Sequence, residues 1–175
     1  MLRLFVLLLL VSAIRPAWVS ANDVPAPSAA KPAPPPLPPL ADFNARAQVL
    51  FEAIVKDAPA TAMALFLPRE AFRKIKAVTA PDPLYDRLVR AYERDIHALH
   101  AGLPELNQAE FVRVDLSRRR SYVVPGEEAN RLPYWAQRHS WLVYRVRQRE
   151  QRIELRVMIA WEDRWYLTHL SEFRH

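Results

Sequence analysis

Three stretches near the end of the chain decide the fold: SWLVYRVR (140–147), IELRVMIAW (153–161) and WYLTHLS (165–171). They are rich in β-branched and aromatic residues and have the length of strands. The segments that connect them, 148–151 and 162–163, are short and polar. This pattern predicts a meander of three antiparallel strands.

Two further strands are predicted just before the meander. Polar and apolar residues alternate over Phe111–Ser117 and again over Arg120–Val124, which is the period of a half-buried strand. The next segment, Pro125–His139, contains Pro125-Gly126 and Pro133, and both are turn formers. We therefore predict two strands followed by one long loop.

Upstream of Pro104 the apolar period is 3.6 residues rather than 2, which indicates helices. We predict that Asp42 and Asp82 cap the first and last of them. Helices followed by antiparallel strands are typical of an α+β fold, with the helices packed on one face of a curved sheet. Residues 41–175 are predicted to form this single domain. Its helices are expected over 42–58, 61–67, 69–78 and 83–101.

This order, with the ending WEDRWYLTHL (161–170), resembles the cystatin-like cone of the nuclear transport factor 2-like superfamily, in particular its exported bacterial members. The resemblance covers residues 41–175 and implies a pocket between helices and sheet, with dimerisation through the sheet. Enzymes of that superfamily place an Asp, His or Tyr in the cone. No motif in this sequence matches theirs, so the resemblance assigns no catalytic residue.

The start of the chain has the pattern of an export signal. Arg3 supplies a positive charge, residues 4–14 are apolar except for one serine, and Val19-Ser20-Ala21 is a small-residue cleavage pattern. We predict a signal peptide over 1–21, cut after Ala21, and a periplasmic or secreted bacterial protein that meets the membrane only during export. The alternative is a retained anchor, but eleven helical residues rise only about 16 Å, half of a bilayer core.

Residues 22–40 hold eight of the sixteen prolines of the chain. Proline fixes φ and removes amide donors, so this segment favours extended polyproline II without a core of its own. It is either a plain tether or a ligand for an aromatic-lined groove. We favour a disordered tether, because grooves for such segments are chiefly intracellular signalling devices.

Composition excludes several kinds of chemistry. The chain has no cysteine, which removes disulfides, thiol catalysis, Fe–S clusters and Cys-type zinc sites. Its two glycines, Gly102 and Gly126, are too few for a phosphate-binding loop. No cofactor is expected.

His169 is the candidate acid–base group, because the alternation places it on one face of its strand with Trp165 and Leu167. The alternative, which we favour, is a core or rim histidine bonded to backbone. Asp115 and Glu154 are candidate carboxylate partners on other strands. The pocket candidates are Tyr144, Arg156, Trp165 and His169.

Glu93, His97 and His100 share one side of the last helix, a geometry that suits a divalent metal such as zinc. The alternative is that histidines near a helix C-terminus interact with the dipole and the last carbonyls. We favour that alternative.

Two surface features are candidates for binding. Tyr134 and Trp135 lie in the predicted loop, where they are either an exposed binding pair or a lid over the sheet edge. Residues 111–175 carry 13 basic and 8 acidic side chains, and Arg118, Arg119 and Arg120 begin a basic stripe that suits an anionic envelope component. Nucleic acid is not expected outside the cytoplasm. The alternative is a solvated face in a chain that uses 21 Arg to 4 Lys.

Together these observations favour an exported, non-catalytic ligand-binding or scaffolding domain. One alternative is a small-molecule enzyme that uses His169. Another is a periplasmic assembly factor that dimerises through its sheet. An enclosed cavity holding His169 and a buried carboxylate would favour the enzyme, whereas an interior filled by Trp, Leu and Ile side chains would favour the binding domain.

Overall fold

Helices come first in the computed structural model, which describes residues 34–171. The predicted signal peptide and the first part of the predicted linker lie outside the described residues. None of the helices between residues 34 and 171 has the length and apolar character needed to cross a bilayer. The helical segments are α1 (Ala41–Val55), a 3-10 helix (Pro59–Leu65), α2 (Arg69–Ile75), α3 (Pro81–Gly102) and a second 3-10 turn (Leu106–Gln108).

The prediction that Asp42 and Asp82 are N-caps is wrong, because α1 begins at Ala41 and α3 at Pro81 without a side-chain cap. Both carboxylates lie instead in the first helical turn, where negative charge is still favourable. Asp82 accepts two hydrogen bonds from Arg73 of α2, at 2.7 and 2.8 Å. This ion pair fastens α2 to α3.

Five antiparallel strands form one sheet in which β1 and β2 lie end to end along the same side of β3. The order continues from β3 to β4 and β5. Two-residue turns join the last three strands, as the predicted meander requires. The strands are β1 (Ala109–Asp115), β2 (Arg120–Val123), β3 (Tyr134–Val146), β4 (Arg149–Trp161) and β5 (Arg164–His169).

The predicted loop is too long at its end, because β3 begins at Tyr134 and not at Ser140. The polar residues of this stretch hide the strand from pattern analysis. Gln137 is buried but bonded, since it accepts from Arg120 at 2.8 Å and donates to the carbonyl of Ser117 at 2.7 Å. A buried polar side chain with partners fits a strand as well as an apolar one.

Apolar side chains fill the space between the helices and the sheet. Each fully buried large side chain contributes about 1.5–3 kcal/mol relative to exposure. The α+β class is confirmed, and the sheet is not strongly curled, unlike the cone that the resemblance implies. The largest of the core side chains that are almost completely buried are Trp165, Tyr92, Phe43, Leu50, Ile54, Leu65, Leu67, Ile75, Ile96, Leu142, Leu155 and Met158.

Candidate functional site

The prolines just before α1 lie against the domain. Residues 34–39, which we call the proline arm, cross the sheet near the ends of β3 and β5. The indole N–H of Trp135 donates to the carbonyl of Pro35 at 2.9 Å. The indole N–H of Trp165 donates to the carbonyl of Pro38 at 3.2 Å. The domain therefore holds the end of the predicted linker through two tryptophans on different strands.

The spacing of these two bonds matches an extended proline segment. Ala160 of β4 pairs with Trp165, and the register Ala136–Ile159 sets Trp135 beside Ala160 on the other side. The two tryptophans are thus two strand spacings apart, about 9.6 Å. Carbonyls three residues apart in polyproline II are separated by about 9.3 Å and point the same way, because that helix has three residues per turn.

A trough with aromatic walls accommodates the arm. Ala160 contributes only a methyl group between the two tryptophans, and Tyr122 of β2 packs on Trp135 with 5.2 Å between ring centroids. We call Tyr122, Trp135, Trp161 and Trp165 the aromatic groove. A cavity of about 500 Å3 remains between the arm and the part of this groove formed by Tyr122, Trp135 and Trp161; Tyr134 and the β4–β5 turn also border it.

The hydrogen-bonding groups of the proline arm and of the aromatic groove are complementary. Prolines have no backbone N–H, so this part of the arm offers chiefly acceptors. The indole side chain is a donor only. The carbonyls of Pro35 and Pro38 accept both indole donors, and the prolines add no N–H that would need an acceptor of its own.

Tyr134 is not available as a surface aromatic. It is 4% exposed, and its hydroxyl donates to Glu128 at 2.6 Å. Burial, and then the bond to Glu128, raise the pKa of Tyr134. Burial also lowers the pKa of Lys76, whose ammonium lies 5.6 Å from the Tyr134 ring. Because neighbours in a strand face opposite sides, the inward Tyr134 turns Trp135 towards the arm.

The residues predicted to share a pocket do not meet. Tyr144 pairs with Gln151 and Trp165 with Ala160, nine residues further along β4, which is about 30 Å in a strand. Arg156 is half-buried, with its guanidinium 3.8 Å from Glu154. No single cavity can therefore contain the predicted set.

Tyr144 borders a separate cavity of about 670 Å3 at the β3–β4 hairpin, together with Arg147, Arg149 and Gln151. Its ring packs on Phe51 at 5.3 Å, and its side chain is 2% exposed. Within residues 34–171 its hydroxyl has no hydrogen-bond partner. Burial raises the pKa of this hydroxyl, so it is a neutral donor at physiological pH.

His169 does not share the face of Leu167, contrary to the prediction. Leu167 pairs with Met158 but His169 pairs with Val157, so Thr168 is an extra residue at a register shift. Such a bulge reverses the alternation that follows it. His169 is half-buried, and its Nδ1 lies 3.0 Å from the Thr168 hydroxyl.

The histidines of α3 contact two different acceptors. His97 Nδ1 lies 2.6 Å from an Asp57 carboxylate oxygen, and His100 Nδ1 lies 2.9 Å from the carbonyl of Ile54. Both acceptors lie at or just beyond the end of α1, so these side chains join α3 to α1. Across residues 34–171 no group of three or more His, Asp or Glu side chains, Glu93 included, is placed to hold a metal ion.

Much of the predicted basic stripe is paired with acidic side chains. Among its later arginines, Arg145 lies 3.7 Å from Glu150, Arg147 lies 2.5 Å from Glu105 and Arg152 lies 3.9 Å from Asp115. Arg113, which precedes the stripe, donates to both Asp115 and Glu150, at 2.7 and 3.0 Å. The hydrogen bonds to Glu150 and then to Asp115 raise the pKa of Arg113. Arg118 and Arg119 are exposed between β1 and β2, and Arg120, the exposed first residue of β2, bonds Gln137. At Arg145, Arg147 and Arg152 an anionic partner would have to compete with the carboxylates.

Comparison with models of protein families, with curated proteins and with solved structures finds no match for this chain. The resemblance to the nuclear transport factor 2-like superfamily therefore stays a prediction.

Trp135 and Trp165 are both among the predicted binding residues, but the contact of both with one segment is not predicted. The pattern places Trp165 in an inner pocket and Trp135 in a loop, and it does not single out Tyr122, Trp161 or the prolines they face. A signal was available, because residues 34–39 offer carbonyls at a three-residue spacing in a chain whose sheet half carries four tryptophans. The alternative of a segment that binds an aromatic groove is the one that this geometry favours.

Proposed function

We propose that this chain is an exported, non-catalytic binding domain whose aromatic groove holds extended peptide backbone. The observation that carries the proposal is the pair of indole bonds to Pro35 and Pro38. The packed core supports it as well, because apolar side chains fill most of the interior. A cavity of about 340 Å3 between α3 and β4 is bordered by Asp95, Leu99 and Glu154, but not by His169 or Tyr144. Two observations count against an enzyme that uses the predicted pocket. Tyr144 lies far from Trp165 along the sheet, and His169 does not share the face of Leu167.

The mode of holding differs from the addition of a strand. Proline cannot donate to a ladder, and residues 34–39 form no strand. Side-chain donors hold the arm across the strands instead, as in grooves that recognise polyproline II. This mode recognises the backbone carbonyls of an extended ligand.

Nuclear magnetic resonance of the whole chain, with labelled tryptophans, tests whether the groove holds the arm. We expect the indole N–H groups of Trp135 and Trp165 to exchange slowly with solvent. In a variant with Pro→Gly at 35, 36, 38 and 39, both resonances should shift and exchange at least about tenfold faster, because the arm loses its ring contacts and its preset φ.

Trp141 is the matched control in that experiment. It is half-buried on the same strand as Trp135, six residues or about 20 Å away, and it pairs with Asp115 and Glu154. Its resonance should not change in the arm variant. Indole signals of Trp135 and Trp165 that are indifferent to the arm substitutions would refute the proposed function.

A further inference from the structure

We infer that the aromatic groove is a binding site for a proline-rich segment of a second protein, and that the proline arm is its built-in competitor. The inference rests on the proposed function, because it requires that the groove hold extended backbone. It adds the class of partner and a means by which the chain regulates its own site. The arm shows which chemistry the groove accepts, since it is the one ligand seated there.

The contacts in the groove define the partner. The two indole donors come from strands that are two spacings, about 9.6 Å, apart, and they bond carbonyls three residues apart, a separation of about 9.3 Å in polyproline II. The arm meets this with the run Pro34-Pro35-Pro36-Leu37-Pro38-Pro39. Proline-rich segments bind at low entropic cost because they are already extended. Aromatic rings with a polar edge suit such a ligand, since they bury its rings and bond its carbonyls.

The groove also has room beside the arm. The cavity of about 500 Å3 is lined by both the arm and the groove, so the arm leaves part of the site unfilled. Leu37 of the arm is 40% exposed, and it is one of three large apolar side chains that stand out in the described part of the chain. A partner with a better-fitting side chain at this position would gain contacts that the arm lacks.

The arm competes because it is attached to the domain. Pro39 is followed by Leu40 and then by α1, so the arm is always within reach of the groove. A segment joined by so short a linker acts at a local concentration of about millimolar or higher. A partner in solution must displace the arm despite this high local concentration. Weakening the arm should therefore strengthen binding of the partner.

The test measures binding of a synthetic peptide, APPPLPPLA, to two forms of the whole chain. One form is unsubstituted and the other carries Pro→Gly at 35, 36, 38 and 39. We expect the substituted chain to bind at least about tenfold more tightly, because the competitor has been weakened. A peptide with alanine at every proline should not bind either form.

A second substitution locates the binding site. In the arm-substituted chain, Trp135→Phe keeps the ring but removes the N–H, and should weaken peptide binding about three- to tenfold. Trp141→Phe on the same strand should leave binding unchanged. Equal effects of the two substitutions, or equal peptide affinity of the two arm forms, would overturn the inference.

Each remaining outcome of this test also supports or overturns the inference. If the arm-substituted chain does not fold, millimolar peptide is added to the unsubstituted chain, where a saturable shift of the Trp135 indole resonance supports the inference and no shift overturns it. A dimer that dissociates when the arm is substituted would assign the groove to a second copy and would likewise overturn it. Indole protection by the arm without any peptide binding would leave the proposed function standing and remove only the partner.

Discussion

The two ends of the long strands β3 and β4 are built by different means. At the end with Trp135 and Trp165 the chain places its own proline arm on the sheet, and the indole donors are bonded. At the hairpin end a cavity of about 670 Å3 is open beside Tyr144, whose hydroxyl has no partner within residues 34–171. At the first end the bound proline arm shows which ligand chemistry the site accepts. At the hairpin end the structure gives only the shape and lining of a cavity.

The forces at the two ends differ as well. Burial of large apolar side chains dominates around the aromatic groove, where Trp165 is 1% exposed. Ion pairs surround the hairpin, where Arg113 and Arg145 both lie within 4 Å of Glu150. Burial responds to truncation of side chains, and ion pairs respond to pH and salt. The two ends should therefore be separable by experiment.

Trp165→Ala should have the largest effect, because it empties a core position and removes a wall of the groove. We expect the free energy of unfolding to fall by about 3–5 kcal/mol, measured by urea denaturation. Trp141→Ala, at a half-buried site on the outer part of the sheet, should cost clearly less. A loss at Trp165 no larger than that at Trp141 would mean that the groove end does not depend on burial.

Removing single hydroxyls should separate two equally buried tyrosines. Tyr92 donates to the carbonyl of Ala62 at 3.2 Å, so Tyr92→Phe should cost about 1 kcal/mol. Tyr144→Phe should change the free energy of unfolding by less than about 0.5 kcal/mol, since no bond is lost. The two variants are compared by the same urea denaturation. A cost at Tyr144 equal to that at Tyr92 would show that the hairpin cavity contains a partner for the hydroxyl.

Acid should loosen the hairpin end before the groove end. The hydrogen bond from Arg113 lowers the pKa of Glu150 in the folded chain, so the unfolded chain binds this proton first as pH falls. The stabilisation is present above the unfolded value, near pH 4, and is lost as pH falls through the lower folded pKa. Hydrogen exchange at about pH 3 should therefore rise at residues 145–151 more than at 159–166, relative to each amide's intrinsic rate.

Glu150→Gln is the control for that measurement. It removes the titrating carboxyl, so the hairpin of this variant should show less additional loosening on acidification. If acidification to about pH 3 raises exchange in the hairpin of the unsubstituted chain no more than at the groove end, the ion pairs do not stabilise the hairpin.

Much of the fold follows from local pattern. The change of apolar period near Pro104 separates helices from strands. Helical segments occur in all four predicted places, but α1 ends at Val55, before Pro59, which begins the 3-10 helix. The errors lie where tertiary contacts override the pattern. The start of β3 was missed because Gln137 is buried with polar partners, and the face of His169 was missed because a bulge at Thr168 reverses the alternation.

The candidate site was less predictable than the fold. Tryptophans and prolines were visible separately, yet the bonds that join them link residues 100 and 127 positions apart. Sequence spacing does not encode such pairings, since they depend on strand register. Two strand spacings happen to equal one turn of polyproline II, and that equality exists only once the sheet has formed.

The sequence by itself determined the α+β class, the apolar residues that form the core, and the extended character of the proline-rich segment. These depend on side-chain period and on the fixed φ of proline, which are local properties. Only the tertiary structure decided where that segment lies. It brought Trp135 and Trp165 to the same level of the sheet, because pairing between strands aligns residues that are distant in sequence.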